Sequence, residues 1–428
     1  MAWGDIVSGM SQVSLAREHA EKLDADDPLA GFRDRFALDD PSLVYLNGNS
    51  LGALPRATLR RLETVVREEW GTALARSWDH WVDLPGRAGD VVGRLTGAAP
   101  GQVLVADNTT VNLYKLACAA LDARPGRHVI VTDQDNFPSD RYVLEGISAQ
   151  RGTRLRMLST DIDQGLDPAE VRAAVDEDTA LVSLSHVAYR SGAVADLAAI
   201  TAAAHRAGAL VLWDLCHSAG AVPVELSAAA ADLAVGCTYK HLNAGPGGPA
   251  FLYVRRDLQA HLEQPIHGWF GQRDQFLMRP VYQPETDIRR FLAGTPGVLG
   301  MVAALEGARL TATAGVPAIA AKARALGTFA LALADAWLSG YGVSVASPRR
   351  ESRRGAQVAL RHPRAWQLCQ ALRDAGVVPD FRAPDRLRLG LAPLYTRYLD
   401  VYEAMYRLRD ILATGRHLGY PAQPTGIT

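Results

Sequence analysis

The sequence has little of what membrane-spanning, nucleic-acid-binding or disulfide-stabilised proteins require. Its 428 residues include four cysteines, at positions 118, 216, 237 and 369, and no CxxC pair, so we expect neither a disulfide framework nor a metal site. No stretch approaches the roughly 18 uninterrupted apolar residues of a membrane span, and residues 1–5 lack the basic start of a secretory signal. The formal net charge of −1 leaves no basic stripe for nucleic acid. We therefore expect a cytoplasmic protein that binds small molecules.

What is present is the composition of an ordinary globular protein, with 48 % apolar and 21 % charged residues. A chain of 428 residues is too long for one small core and suits a large domain joined to a smaller one. We predict an N-terminal helical segment over 1–50, a large domain over 51–310 and a small C-terminal domain over 311–428. Cys118 and Cys369 lie in helical stretches rich in Leu and Ala, which predicts buried thiols.

Short apolar runs alternate with amphipathic stretches from about residue 100 onward. We expect buried strands at 103–106, 128–132, 180–184, 209–213 and 233–236. We expect helices at 110–121, 139–150, 167–175 and 195–207, and two longer ones at 296–313 and 317–338. Residues 255–293 lack this alternation, which predicts a long functional loop there. The alternation predicts an α/β fold whose mainly parallel sheet is covered by helices on both faces.

The strongest chemical signal lies between residues 209 and 250. One predicted strand ends in Asp214, with His217 three residues on, and the next strand is followed by Lys240 and the Gly/Pro-rich turn 243–249. Ligands of open α/β sheets bind beyond the carboxyl ends of the strands, so the acid and the lysine should face one crevice. A desolvated lysine amine forms a Schiff base, and a carboxylate keeps a pyridine nitrogen protonated so that the ring accepts electrons. The pattern predicts pyridoxal 5'-phosphate (PLP) held by Lys240.

Each of these features also has a plainer interpretation. Alone, Lys240 is a solvated lysine after a strand and Asp214 is a helix N-cap; their combination with the glycine-rich turn favours the cofactor site. Residues 106–113 cross from a strand into a helix, whose first amides and hydroxyls suit a phosphate or simply cap the helix. In 135–140, Phe137 suits stacking on a cofactor ring or ordinary core packing.

Nine segments, in this order, resemble kynureninase, a fold-type-I PLP hydrolase related to the class V aminotransferases. They are 45–52 (YLNGNSLG), 107–115 (DNTTVNLYK), 136–140 (NFPSD), 185–192 (SHVAYRSG), 214–220 (DLCHSAG), 239–247 (YKHLNAGPG), 268–271 (GWFG), 294–296 (GTP) and 386–395 (RLRLGLAPLY). The lysine segment alone would indicate only the superfamily, whereas the Asn-Phe-Pro, Gly-Trp-Phe-Gly and Pro-Leu-Tyr segments are more specific. The resemblance covers residues from about 40 to 414.

The resemblance implies the PLP-dependent transferase fold of type I, with a mainly parallel seven-stranded sheet in the large domain and a smaller C-terminal α/β domain. It implies hydrolytic Cβ–Cγ cleavage of L-kynurenine or 3-hydroxykynurenine to L-alanine and anthranilate or 3-hydroxyanthranilate. That reaction belongs to tryptophan catabolism by the kynurenine pathway and to NAD biosynthesis. It also implies a homodimer with active sites at the interface.

The resemblance assigns roles residue by residue. The positions that it implies for the cofactor are Thr109, Thr110, Phe137, Asp140, Asp214, His217, Tyr239, Lys240, Trp269 and Thr295. The positions that it implies for the substrate are Asn49, Ser50, Trp269, Thr295 and Arg388, of which Trp269 and Thr295 would come from the neighbouring subunit.

Within this set, the catalytic positions are Lys240, Asp214 and Tyr239. Lys240 would form the Schiff base and remove the α-proton, and Asp214 would pair with the pyridine nitrogen. Tyr239 would either donate a proton or only hold the phosphate, with Thr109 and Thr110. Phe137 would stack on the ring, with Asp140 nearby and His217 supporting that region. Arg388 would take the substrate α-carboxylate, a role suited to its bidentate fork.

Four positions depart from the family pattern. Asn47 stands where Asp or Leu is usual, Ala188 where a polar residue is common, Cys216 where a small apolar residue is common, and Gln272 where His is usual. We expect Ala188 and Gln272 near the aromatic end of the substrate, so they put its identity in doubt more than the reaction type.

The alternatives are a biosynthetic enzyme for a substituted kynurenine, another class V reaction (β-elimination, desulfuration, aminotransfer) and a degenerate binding protein. Cys369 lies in a helical stretch rather than in the mobile loop that desulfuration needs. Joint retention of Lys240, Asp214 and Arg388 argues against loss of catalysis.

Overall fold

The structure is a computed structural model in which residues 15–424 are described. Residues 1–14 and 425–428 lie outside that part of the chain. The start of the predicted N-terminal segment, and the residues on which the expectation about a secretory signal rests, therefore lie outside the described residues.

Thirteen strands in the described residues form sheets of seven, four and two strands. They are β1 (Val44–Tyr45), β2 (Val103–Val105), β3 (Val129–Asp133), β4 (Arg154–Leu158), β5 (Thr179–Ser185), β6 (Leu210–Asp214), β7 (Leu233–Gly236), β8 (Phe251–Val254), β9 (Ser344–Val345), β10 (Gln357–Arg361), β11 (Val377–Val378), β12 (Asp380–Arg382) and β13 (Arg386–Gly390). All five predicted strands are confirmed, with bounds that differ from the predicted ones by at most one residue. Two further strands of the large sheet, β4 and β8, were not predicted.

Thirteen α-helices accompany the strands in the same residues. They are α1 (Arg17–Ala25), α2 (Arg56–Thr64), α3 (Trp78–Trp81), α4 (Leu84–Leu95), α5 (Thr109–Asp122), α6 (Pro138–Arg151), α7 (Pro168–Ala174), α8 (Leu197–Arg206), α9 (Arg256–Gln259), α10 (Val298–Ala314), α11 (Val316–Trp337), α12 (Ala365–Asp374) and α13 (Tyr398–Thr414). A π-helix (Val65–Ala73) follows α2, and the predicted loop 255–293 contains only short helical turns.

The seven-stranded sheet has the order β2-β8-β7-β6-β5-β3-β4, and β8 alone runs antiparallel to its neighbours. Successive side chains of a strand point to opposite faces, so Val129 and Val131 enter one apolar core while Ile130 enters the other. Helices α4 and α10 cover the first face, and α5 and α6 cover the second. The predicted fold, a mainly parallel seven-stranded sheet between helical layers, is confirmed.

The C-terminal third builds a separate antiparallel sheet of order β12-β13-β10-β9. Its core also takes in Ala20, Val44 and Leu46 from the N-terminal segment, and β1 pairs in parallel with β11. The described part of the N-terminal segment therefore packs with the C-terminal part of the chain. The division at residues 50 and 310 stays a prediction.

Helix α11 is long and apolar enough to cross a bilayer by length and composition alone. However, 56 % of its most apolar window is buried inside the protein. Leu326, Phe329 and Leu333 from this helix are fully buried in the C-terminal core, which accounts for its apolar character as that of a core helix.

Candidate active site

Lys240 lies four residues beyond β7, in a cavity where the loops after β3, β5, β6 and β7 meet. The lysine is 9 % exposed, and its Nζ atom lies 3.0 Å from Nε2 of His217. Burial and the neighbouring lysine hold the pKa of His217 well below its ordinary range, so the ring is neutral and Nε2 accepts the hydrogen bond. The hydrogen-bond neighbour of the Lys240 amine is thus an imidazole and not a carboxylate.

The other three lysines of the chain have different surroundings. Lys115 and Lys322 are buried with Nζ 2.6 Å from a carboxylate oxygen, and Lys22 is exposed on α1. A carboxylate within hydrogen-bond distance favours the charged form of an amine, and that form is a poor nucleophile. Lys240 is therefore the lysine best placed to form a Schiff base.

Two carboxyl groups close the floor of the cavity. Asp214, the last residue of β6, accepts a hydrogen bond of 2.7 Å from the backbone N–H of Cys216 and lies 3.4 Å from Oγ of Ser185. The side chain of Asp140, in the first turn of α6, lines the cavity beside Asp214. Burial and the charge of Asp214 raise the pKa of Asp140 well above its usual range, so Asp140 retains its proton. A carboxyl group at this position suits a protonated ring nitrogen.

The amino-terminal end of α5 forms another wall of the cavity. Asn108 caps this helix, with its side chain accepting a 2.9 Å hydrogen bond from the backbone N–H of Val111. Thr109 and Thr110 follow and line the cavity. The first N–H groups of a helix lack partners within the helix and carry partial positive charge, so they favour an anion such as a phosphate.

Aromatic side chains enclose the lysine. The Nζ atom of Lys240 lies 5.8 Å from the ring centre of Phe137 and 5.9 Å from that of Tyr239. Phe137 is 37 % exposed, and the ring of Tyr189 meets it edge-on at 5.3 Å. Burial raises the pKa of the Tyr239 phenol, so this hydroxyl keeps its proton. An exposed aromatic face beside the lysine suits stacking of a flat ring.

These residues fit PLP. The cavity has a volume of about 140 Å³ and is lined by Asn108, Thr109, Thr110, Phe137, Ser139, Asp140, Ser185, Tyr189, Asp214, Cys216, His217, Tyr239 and Lys240. Two polar atoms at its edge, Oδ2 of Asp140 and Nδ1 of His217, are buried without a hydrogen-bond partner. Buried polar atoms in native proteins are nearly always paired, so orphaned atoms here indicate a missing polar ligand.

The segment 47–52 packs against the lysine turn. The backbone N–H of Gly52 donates to the carbonyl of Tyr239 at 2.8 Å. Asn49 is fully buried and donates from Nδ2 to Oε1 of Gln357 at 2.7 Å, while Ser50 is half-buried. This segment supports the turn, but neither Asn49 nor Ser50 lines the Lys240 cavity.

Three predicted site residues also lie away from that cavity. Nε1 of Trp269 donates to Oγ1 of Thr295 at 3.2 Å, and this pair borders a separate, larger cavity of about 620 Å³ that Thr295 lines. Arg388 is 1 % exposed and is bound to Asp380 and to the backbone carbonyl of Tyr189. Within one chain, therefore, eight of the ten predicted cofactor residues gather around Lys240, whereas Trp269, Thr295 and Arg388 do not join them.

The four departures from the family pattern lie in different environments. Cys216 lines the Lys240 cavity, and half-buried Ala188 precedes Tyr189, which lines it too. Gln272 is occupied by its own loop, accepting from the N–H of Gln283 at 2.7 Å and donating to the adjacent backbone carbonyl. Asn47 is buried and forms an isolated bridge with a residue of β13.

Sequence reasoning assigned no role to Ser185, Asn136 and Tyr189, three residues that shape the cavity. Ser185 donates to Oδ1 of Asn136 at 2.8 Å, and Asn136 donates to Oγ1 of Thr132 at 3.1 Å. Ser185 ends β5 directly beside Asp214 in register, so the strand-end rule that identified Asp214 could also have identified Ser185. Tyr189 carried no comparable signal, because its position depends on the loop after β5.

Comparison with known proteins supports one family over the whole chain. A family model for the kynureninase C-terminal domain matches residues 319–408, and one for the DegT/DnrJ/EryC1/StrS aminotransferase family matches residues 99–236. The chain is 45 % identical to a kynureninase of Burkholderia pseudomallei (strain 1106a) over 406 residues, covering 93 % of this chain and 96 % of that protein. It is 42 % identical to a kynureninase of Pseudomonas fluorescens, covering 91 % and 94 %.

Solved structures with a similar fold include two cysteine desulfurases. The apo enzyme of Thermococcus onnurineus NA1 superposes with a TM-score of 0.76 at 18 % identity, covering 92 % of this chain and 98 % of that one. The Escherichia coli enzyme CsdA gives a TM-score of 0.77 at 18 % identity, covering 90 % and 98 %. At this identity the likeness shows the fold, that of the type-I PLP enzymes. The full-length relatives show more: the chain belongs to the kynureninase family and is a PLP-dependent enzyme.

Proposed function

We propose that this enzyme hydrolyses the Cβ–Cγ bond of L-kynurenine, or of 3-hydroxykynurenine, to L-alanine and anthranilate or 3-hydroxyanthranilate. The observation that carries the proposal is the Lys240 cavity, with an amine beside a neutral imidazole above a carboxyl pair. Kinship to kynureninases over more than nine-tenths of the chain supports the choice of reaction.

The cofactor and the residues of the cavity have different roles in the reaction. Bound PLP supplies an aldehyde that reacts with amines and a ring that draws electrons from the substrate's α- and β-carbons. Lys240 would hold the cofactor through its amine and, when that amine is free, would move the α-proton of the substrate. His217, 3.0 Å from Nζ and neutral, accepts a hydrogen bond from the amine without adding charge.

The floor and walls orient the ring. We assign Asp214 to the pyridine nitrogen because its carboxyl group, at the end of β6, lies at the floor of the cavity. Phe137 would stack on the ring, and Thr109, Thr110 and the α5 amino terminus would hold the phosphate. Tyr239 keeps its phenol proton and is available to donate it.

The substrate's other end requires groups outside the Lys240 cavity. Arg388 is assigned to the α-carboxylate, and Asn49 and Ser50 to the substrate side of the lysine turn. Trp269 and Thr295 lie outside the cavity in one chain, which favours their use by the neighbouring subunit of a homodimer. Four large apolar side chains of the loop 273–282 are 63–68 % exposed, which also favours a covered face: Phe276, Leu277, Met278 and Val281.

The proposal also covers the location of the protein and the arrangement of its two domains. The α/β fold is that of a soluble protein, and four free cysteines favour a reducing cytoplasm. The large domain over 51–310 and the small domain over 311–428 then meet at the active site, since Arg388 comes from the second and Lys240 from the first.

The proposal is tested by mixing the PLP-loaded protein with L-kynurenine and measuring anthranilate by fluorescence and L-alanine by mass spectrometry. We expect equal amounts of both products, lost in Lys240→Ala and retained in Lys22→Ala, which removes an exposed lysine far from the cavity. Absence of both products would contradict the proposal. Formation of a cyclised keto-acid product would instead indicate aminotransfer.

A further inference from the structure

The side chain of Arg388, which we assign to the substrate α-carboxylate, forms an ion pair with an aspartate of the same chain. Arg388 and Asp380 are direct partners on the antiparallel strands β13 and β12. Nε of Arg388 donates to Oδ1 of Asp380 at 2.6 Å, and Nη2 donates to Oδ2. Both side chains are buried, with 1 % and 0 % of their surface exposed. The most specific carboxylate-binding edge of Arg388 is therefore already occupied.

The remaining donors of Arg388 are directed elsewhere. Nη1 donates to the backbone carbonyl of Tyr189, whose ring lies against Phe137 in the Lys240 cavity. Three of the five guanidinium N–H groups are thus used, and the two that remain lie on Nη1 and Nη2. The charge of Arg388 also lowers the pKa of His217, which contacts Lys240. The guanidinium is therefore close enough to act on groups around the lysine.

A second arginine adds positive charge to the ion pair of Arg388 and Asp380. An ion pair between Arg388 and Asp380 alone is neutral and would offer a substrate carboxylate little net attraction. Arg382, two residues along β12, places Nη2 2.9 Å from Oδ2 of the same Asp380. Two arginines therefore share one aspartate, and the cluster carries a net charge of +1. Arg382 is 27 % exposed, so it closes the cluster on its outer side.

We infer that Asp380 is the positioning residue of the substrate-carboxylate site: it fixes Arg388 by one edge so that the free edge meets the α-carboxylate, while Arg382 restores the positive charge. The inference rests on the proposed role of Arg388 and adds to it. Asp380 touches neither substrate nor cofactor; it acts through the orientation of Arg388. Arg382 sets the charge of the cluster and thereby the preference for an amino acid over a plain amine.

The test compares ligands with and without the carboxylate on the PLP-loaded enzyme. L-kynurenine is compared with kynuramine, which lacks only the carboxylate, and L-alanine is compared with ethylamine. Binding of each is read from the change in the absorbance of the bound cofactor. In Asp380→Asn we expect the dissociation constants of both amino acids to rise about tenfold or more, because Arg388 loses the bidentate partner that orients it. Those of both amines should stay within about twofold of wild type, with PLP affinity unchanged.

A second variant covers the case in which Asp380→Asn does not fold. Arg382→Gln should weaken the two amino acids but not the two amines, and Arg382→Lys should restore most of the loss. Arg361→Gln is the matched control, because Arg361 lies on β10 of the same sheet and is half exposed. Equal weakening of amino acids and amines, or no weakening in either variant, would overturn the inference.

The same ligands separate this inference from the proposed reaction. If wild-type enzyme responds to L-alanine but not to L-kynurenine, the proposed substrate is wrong, and the comparison of L-alanine with ethylamine still decides the role of Asp380. If Arg388→Gln binds all four ligands as wild type does, both the carboxylate role of Arg388 and the inference fail.

Discussion

Replacing Gly52 by alanine tests whether the segment 47–52 supports the lysine turn. A Cβ atom at Gly52 would lie 2.3 Å from the carbonyl oxygen of Lys240 and 2.5 and 2.9 Å from two atoms of Asn243. Contacts this close to backbone cannot be relieved by turning a side chain. Gly307 of α10 also packs closely against the turn, where a Cβ would lie 2.0 Å from the carbonyl oxygen of Leu242, so the turn has little room to move.

The expected cost follows from this overpacking, which in proteins is typically about 1–3 kcal/mol. If the strain displaces Lys240, the dissociation constant of PLP rises by roughly 5- to 150-fold, since about 1.4 kcal/mol is a factor of ten. Cofactor titration by absorbance measures this constant, and thermal unfolding of the apo protein measures the share of the cost borne by the fold. We expect weaker PLP binding together with a lower midpoint of unfolding.

Gly146→Ala is the matched control, because Gly146 lies within α6 and a Cβ there would meet nothing within 4 Å. That substitution should leave PLP binding unchanged and stabilise the fold by about 0.5–1 kcal/mol. Wild-type PLP affinity and wild-type unfolding in Gly52→Ala would refute the idea that segment 47–52 holds the lysine turn in place.

Three further changes have defined outcomes. Lys322→Met leaves Asp27 buried without the amine that lies 2.6 Å from it. This should lower the free energy of unfolding by about 3–5 kcal/mol, which denaturant unfolding measures. Adding Asp27→Leu should recover most of the loss. Burial and Asp135 raise the pKa of Asp133 to about 7, above its ordinary value of 3.8, so this group costs stability progressively as pH rises from about 4 to 7. Asp133→Asn should therefore raise the unfolding midpoint at pH 8 but not at pH 4, and an equal shift at both would refute this. Asp214→Asn should reduce kcat at least about 100-fold with PLP still bound, measured at saturating L-kynurenine; a kcat within tenfold of wild type would contradict its role.

Much of the fold could be predicted because its signals are local. The runs that form β3 and β6 are short, apolar and bounded by turns, and amphipathic stretches lie between them. The strand β4, with its alternating arginines, and β8, directly after the Gly/Pro turn, were missed. An edge strand such as β4 is half exposed and lacks the continuous apolar run of a buried strand. The packing of Val44 and Leu46 with the C-terminal core depends on contacts more than 300 residues apart in sequence, which no local pattern encodes.

The candidate site shows the same division. Strand-end reasoning placed Asp214 and Lys240 in one crevice, the resemblance added Thr109 at the start of a helix, and the structure brings all three together. The pairing of Arg388 with Asp380 could not be predicted, because it depends on the register between β12 and β13. The positions of Trp269 and Thr295 likewise depend on how the loop 255–293 folds over the surface.

In the proposed reaction, water cleaves the Cβ–Cγ bond of a kynurenine-like substrate. The direct measurement is to run the reaction with L-kynurenine in ¹⁸O-labelled water and analyse both products by mass spectrometry. Because water adds to the γ-carbonyl carbon, the new carboxylate of anthranilate should carry ¹⁸O, and L-alanine should carry none from the cleavage step. Anthranilate without the label, or no anthranilate from the PLP-loaded enzyme, would contradict the account.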